Sequence, residues 1–320
     1  MNHALTGGLR RQATEATRQS GRASFAGKGD GVLWQRLATA GVGIPLLLVL
    51  IYLGGWYLAA GALVLSALGL REYLRLAVGC GLKPVAGIAY LAGAGLILAT
   101  AMESVSFPSE GLLAEAALND EVVMIFAAAV VALLAQQVFT SAEPVTISNA
   151  GASLLGLAYV PLLFSYLLRL RSISVEVIWL SHAGLTVPAG ACWLFLVVAT
   201  CWAQDTAAYA VGRAWGRHKL CPKISPGKTV EGGIGGLVAA TVVAAALGGW
   251  FGLSLPWGAL LGAGLGVAGQ LGDLSKSVMK RQAGVKDSGS LLPGHGGVLD
   301  RFDSLLFAAP VAFYWLRSVV

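Results

Sequence analysis

Apolar residues run through this chain in long blocks, and polar residues gather between them. Blocks of roughly spanning length fall near 38–55, 56–70, 84–101, 121–139, 149–168, 191–211, 234–251, 256–273 and 303–320. A helix of about 20 apolar residues crosses the hydrocarbon core of a bilayer, so each block predicts a membrane helix. The expected architecture is an all-α, polytopic integral membrane bundle of about nine transmembrane helices. The first two blocks are nearly fused at Gly54-Gly55-Trp56, and the stretch 172–190 is ambiguous, moderately apolar yet holding Glu176, His182 and Pro188.

The polar positions divide the chain into three parts. Residues 1–36 carry Ser, Thr, Gly and Arg with no apolar stretch, and read as a flexible basic cytoplasmic tail. The first apolar run begins near Ala38, too late for the pattern of a signal peptide. Residues 37–190 read as nearly featureless transmembrane scaffold helices. Residues 191–320 read as a transmembrane catalytic region, because the charged residues concentrate there in two loops and at their helix ends.

Composition supports the bilayer as solvent. Of 320 residues, 56% are hydrophobic and 12% charged, with a mean hydropathy of +0.73. A soluble domain carries about 25% charged residues. The 43 glycines suit helices that pack closely in lipid, and Gly258, Gly262 and Gly266 recur on one helix face. The four cysteines form no CxxC pair and the four histidines are scattered, which argues against a disulfide framework or a zinc site.

Charge sets the orientation. With the N-terminus inside and nine crossings, every Lys and Arg except Arg169, Arg171 and Arg317 falls on the cytoplasmic side. The loop at 102–121 is acidic and carries no Lys or Arg, as an outer loop would.

Two clusters carry chemistry. The first spans Asp205 to Gly233. Asp205 lies deep in an apolar stretch, where a carboxylate is costly and usually functional. A pairing with Arg213, two turns on, would be too long for direct contact. Gly227-Lys228-Thr229 looks like the end of a Walker A loop, but Pro222 stands where the first Gly is required and no strand is expected before it. A Gly- and hydroxyl-rich loop with Lys beside a helix start can still hold phosphates.

The second cluster runs from Asp273 to Ser304 and holds four carboxylates and five basic side chains between two apolar blocks. Asp300 and Asp303 share a helix face where the last block begins, and Asp273 ends the block before. Both helix ends can offer carboxylate oxygen to one site. Mg²⁺ binds through a few carboxylates and bridges phosphates, and the neighbouring Lys and Arg match the remaining phosphate charge. This is equipment for phosphoryl or nucleotidyl transfer. A transporter also buries acids in apolar helices but has no need of such a dense interfacial loop.

The stretch from Ser277 through Lys280-Arg281, Lys286-Asp287, His295-Gly296-Gly297 and Asp300-Arg301 to Asp303 resembles the signature of the phosphatidate cytidylyltransferases, or CDP-diglyceride synthetases. Asp205-Thr206, Ser225-Pro226, Lys228-Thr229 and Glu231-Gly232 resemble upstream blocks of that family, so the likeness covers about 195–305. Lys276 departs from it, standing where an acidic residue is common, and Ala207 stands where Gly is frequent.

The resemblance implies transfer of CMP from CTP to phosphatidic acid at the cytoplasmic face of a bacterial-type inner membrane, with Mg²⁺ as cofactor. It implies Asp273 and Asp300 as metal ligands, with Asp287 and Asp303 behind them. Lys228, Lys280, Arg281, Lys286 and Arg301 would hold phosphates, and Ser225 and Ser277 would donate hydrogen bonds. Asp205, Thr229 and Glu231 would complete the substrate site. Lys286, Asp287 and Asp300 would act in the reaction with His295, which either protonates leaving pyrophosphate or orients the Gly-rich turn. A monovalent cation beside Mg²⁺ and a homodimer are family-level expectations, and no nucleic-acid partner is expected. A cytidylyltransferase for another lipid phosphate, such as an isoprenoid one, is the alternative. The CDP-alcohol phosphotransferases are not, because their spaced run of Asp residues is missing.

Overall fold

The computed structural model describes residues 41–106, 111–139, 147–173, 187–289 and 296–320. Among these lie nine helices and one small hairpin: α1 Gly41–Leu53, α2 Gly55–Gly79, α3 Ala86–Ser106, α4 Gly111–Phe139, α5 Ile147–Ser172, α6 Ala189–Trp215, β1 Lys219–Cys221, β2 Ser225–Thr229, α7 Val230–Trp250, α8 Leu255–Gln282 and α9 Leu299–Val319. The expected tail lies outside the described residues.

The all-α expectation holds apart from the hairpin, whose strands pair antiparallel between α6 and α7. Five helices, α2, α3, α5, α6 and α7, are long and apolar enough to cross a bilayer. The helix Gly41–Leu53 is apolar but shorter. The expected count of about nine crossings is thus met at five among the described residues. Large apolar side chains such as Leu91, Val131, Val242 and Phe139 face outward, a surface that lipid solvates and water does not. The protein is an integral membrane protein.

α6 is the central helix. Trp193, Leu194, Leu196, Val197 and Val198 are buried in it, and it packs against α5, α7, α8 and α9. Glycine brings the C-terminal helices together. A Cβ on Gly262 would lie 2.6 Å from the Ala240 carbonyl oxygen and 2.7 Å from Thr241 Cα, and one on Gly258 would lie 2.9 Å from Ala245 Cα. The small face seen in the sequence is therefore the α7–α8 contact. α5 contains one π turn, Ala158–Leu162, around Pro161, which has no N–H to give the helix.

The two ends of the bundle differ. At one end Arg171 caps α1, donating to the carbonyls of Ile51 (2.8 Å) and Tyr52 (3.0 Å). At the other, the α2–α3 link is held by α5, with Lys83 N–H donating to Asn149 and Val85 N–H to Ser153. That second end also gathers the hairpin, the C-terminus of α8 and the start of α9.

Helix boundaries overrun the apolar blocks. α2 continues from the block at 56–70 to Gly79, and α8 from the block at 256–273 to Gln282. Lys276, Lys280 and Arg281, expected in a loop, therefore stand on the last turns of α8. An apolar block marks where lipid ends, whereas a helix ends at a backbone signal. For α8 that signal is Gly284 at φ 69, whose neighbour Val285 donates back to the Lys280 carbonyl.

Candidate active site

The hairpin corrects one expectation, since strands do precede Thr229; Pro222 still breaks the Walker pattern. Thr229 ends β2 and caps α7, its hydroxyl accepting from Gly232 N–H at 3.1 Å. Glu231, in the first turn of α7, accepts from the N–H groups of Arg217 (3.0 Å) and His218 (3.2 Å) and pairs with the His218 ring. It clasps the hairpin to the helix. Arg281 reaches from α8 to the Ile224 carbonyl at 3.0 Å and holds the hairpin's turn.

These contacts shape a cleft of about 460 Å³ between the hairpin, α6, α7 and α8. Asp205, Tyr209 and Arg213 line it from α6, Ser225 and Lys228 from the hairpin, and Gln270 and Asp273 from α8. Arg213 donates to Tyr209 at 2.9 Å and not to Asp205, so the distance argument against an Asp205–Arg213 pair holds. Gly227, Gly232 and Gly233 also line the cleft beside the N-terminus of α7, where backbone N–H groups and the helix dipole favour an anion.

Asp273 joins the cleft to a buried cluster. Lys228 contacts its Oδ2 from the hairpin. Behind it, the Lys276 ammonium contacts Asp303 Oδ2 and lies 3.3 Å from Asp300 Oδ1 and 3.5 Å from Asp273 Oδ1. Lys280 donates to Asp300 Oδ1 at 2.7 Å. The other oxygen of Asp300 accepts from Ser288 N–H (3.1 Å), Ser288 Oγ (2.9 Å) and Gly297 N–H (3.2 Å). Burial alone would raise the Asp300 carboxyl, but the Lys280 hydrogen bond and the charges of Lys276 and Lys280 outweigh it and hold it well below the usual carboxylate range. Asp300 precedes the apolar block at 303–320.

The structure brings Asp273, Asp300 and Asp303 together, as expected of the two helix ends, and sets Lys228, Lys276 and Lys280 against them, a pairing that the sequence reading did not contain. Ser277 is buried beside them and donates to the Asp273 carbonyl at 2.8 Å. Lys286 and Asp287 are exposed beyond the end of α8, and Arg301 is exposed on the first turn of α9. His295 lies outside the described residues. Glu72 has no counterpart among the expected residues, yet it is buried and bonded to both Ser288 and the start of α9. Its one signal in the sequence is a carboxylate just past the second apolar block, between Arg71 and Arg75.

No three His, Cys, Asp or Glu side chains among the described residues come together closely enough to cage an ion unaided. The position where three carboxylates converge is filled by the protein's own ammonium, while Asp273 keeps a face on the cleft. This donor set fits an ion that takes one or two carboxylates and completes its shell with substrate phosphates and water, as Mg²⁺ commonly does.

The model of the cytidylyltransferase family matches residues 34–319. The chain belongs to the cytidylyltransferase family. The match takes in every described helix and all of the cleft. This cytidylyltransferase is 36% identical over 306 residues to the phosphatidate cytidylyltransferase of Synechocystis sp., covering 88% of this chain and 96% of that relative. Against the phosphatidate cytidylyltransferase of Staphylococcus saprophyticus it is 34% identical over 278 residues, covering 86% and 96%. Against that of Bacillus subtilis it is 42% identical over 173 residues, covering 53% and 60%. The chain is therefore an enzyme, a nucleotidyltransferase of the membrane.

Proposed function

We propose that this enzyme transfers CMP from CTP to phosphatidic acid, yielding CDP-diacylglycerol and pyrophosphate for phospholipid biosynthesis. The observation that carries the reading is Asp273: one carboxylate that faces a Lys- and Gly-lined cleft of about 460 Å³ and is backed by the Asp300–Asp303–Lys276 cluster. Relatives of matching length are named for this activity.

In the reaction, a phosphate oxygen of phosphatidic acid bonds to the α-phosphorus of CTP. The bond from that phosphorus to the bridging oxygen breaks, and pyrophosphate leaves with the electron pair. The nucleophile is already an anion, so no strong base is required, and the obstacle is repulsion between two anions. Asp273 would hold Mg²⁺ from the cleft wall, with Asp300 and Asp303 behind it, and the ion would supply charge neutralisation there. Lys228 and the N-terminus of α7 receive the triphosphate in the cleft. Lys280 and Lys276 fix the carboxylates, and Arg281 fixes the hairpin that carries Lys228. Lys286 and Arg301, exposed at the same end, would meet lipid phosphate. The basic segments after α2, around the hairpin and along the end of α8 supports a cytoplasmic site in a bacterial-type inner membrane. A second, monovalent cation and a homodimer complete the proposal on the family resemblance alone.

The test uses purified protein in detergent with radiolabelled CTP, phosphatidic acid and Mg²⁺, scoring label in the lipid phase. Label that requires both phosphatidic acid and Mg²⁺ is the expected result. Asp300→Asn should keep the folded protein and lower turnover by on the order of 100-fold, the upper range for losing a carboxylate that organises a metal site. CTP binding with no labelled phosphatidic acid product would overturn the lipid acceptor and favour another lipid phosphate.

A further inference from the structure

Glu72 is 3% exposed, and among the described residues the partners of its carboxylate are hydrogen-bond donors, not a cation. Oε1 accepts from Val298 N–H at 2.8 Å, and Oε2 accepts from Leu299 N–H at 2.9 Å and from Ser288 Oγ at 3.0 Å. Removing a carboxylate from water without a counter-ion is costly. Here the cost is offset at the start of α9, whose first N–H groups are orphan donors at the positive end of a helix dipole. α9 has no side-chain cap of its own. A residue from α2, more than two hundred positions earlier in the chain, supplies it.

The same carboxylate reaches the Asp300 site. The Ser288 hydroxyl lies 3.0 Å from Glu72 Oε2 and 2.9 Å from Asp300 Oδ2, so one hydroxyl proton serves two carboxylates. Ser288 N–H and Gly297 N–H complete the donor set on that oxygen of Asp300. Gly297 and Gly289 make the room. A Cβ on Gly297 would come within 2.3 Å of Glu72 Oε2, and one on Gly289 within 2.7 Å of Oε1. Glu72 therefore fits between the two chain segments that present donors to Asp300 and touches both.

We infer that Glu72 is a positioning residue of the reaction, setting the orientation of the Asp300 carboxylate through Ser288 and the start of α9. The α2 helix is then a working part of the active site and not only scaffold. The inference rests on Asp300 belonging to that site, as proposed above.

The test is a double-mutant cycle on the full-length enzyme in detergent with Glu72→Gln, Ser288→Ala and both together. Gln keeps the size and one acceptor oxygen but turns an N–H₂ toward donors that need an acceptor. Glu72→Gln should lower kcat at least tenfold, with KM for CTP within about twofold of wild type because the cleft wall is intact. Ser288→Ala should lower kcat with little change in melting temperature, since the α9 cap remains. The double variant should be no worse than Glu72→Gln, because both changes cut one link. A merely structural Glu72 would lower the melting temperature and leave kcat per folded molecule unchanged, which overturns the inference. So would kcat losses that multiply in full in the double variant. If Glu72→Gln does not fold, Ser288→Ala decides alone: kcat at the wild-type level overturns the inference. An inactive wild type would instead sink the proposed reaction.

Discussion

At the scale of single residues, the site is a problem of like charges held together. Asp273, Asp300 and Asp303 converge on one ammonium, and Lys228 and Lys280 each hold one of them from outside. Lys276 is thus not a tolerated oddity beside the site, for its side chain is 7% exposed and stands among all three acids. The sequence presented it as a departure from the resembling family. It could not tell that the reversed charge points into the carboxylates, because that depends on α8 continuing past the apolar block. Lys276→Glu puts a fourth carboxylate where a cation was, and such a cluster stays ionised only with an added cation. The variant should melt earlier than wild type in chelator and recover more than wild type on adding Mg²⁺. Differential scanning fluorimetry in a Mg²⁺ series measures both. Equal Mg²⁺ responses in the two proteins would mean that the Lys276 ammonium does not substitute for a bound cation.

At the scale of elements, periodicity revealed packing better than it revealed ends. The Gly258–Gly262–Gly266 face is the surface on which α7 lies, as its spacing indicated. The hairpin was not legible, since two short strands, one bearing Pro226 and the two joined through Pro222, carry no alternating pattern. Its shape comes instead from tertiary contacts through Glu231 and Arg281. The cleft depends on α6, α7 and α8 keeping their spacing, which gives glycine substitutions unequal effects. A side chain at Gly262 meets the backbone of α7, which cannot move aside alone, whereas one at Gly264 finds only Val311 Cγ1 at 3.5 Å. Gly262→Leu should cost about 1–3 kcal/mol or more through overpacking and raise KM for CTP, while Gly264→Ala should be nearly silent in both. Thermal melts and CTP titrations of the two variants side by side provide the check.

At the scale of the whole molecule, charge along the chain foretold which loops share a side, but not what the N-terminal half contributes. The C-terminal site residues were legible because their chemistry is dense in sequence. Glu72 was not, because it meets Ser288 and α9 only after the fold closes over more than two hundred residues. That closure brings the α2–α3 link, the hairpin and the end of α8 to one end of the bundle, and the α1–α2 turn with Arg171 to the other. Native cysteines can read this arrangement without new mutations. Cys80 is exposed just past α2 and Cys221 is half-buried in β1, both at the site end, while Cys192 and Cys201 are buried inside α6. If that end faces the cytoplasm, a membrane-impermeant maleimide should label the protein in inside-out vesicles and leave it unlabelled in right-side-out spheroplasts. Labelling only in spheroplasts would put the cleft on the outer face, away from any cytosolic nucleotide. The reaction would then have to be reconsidered, even though no residue of the site had changed.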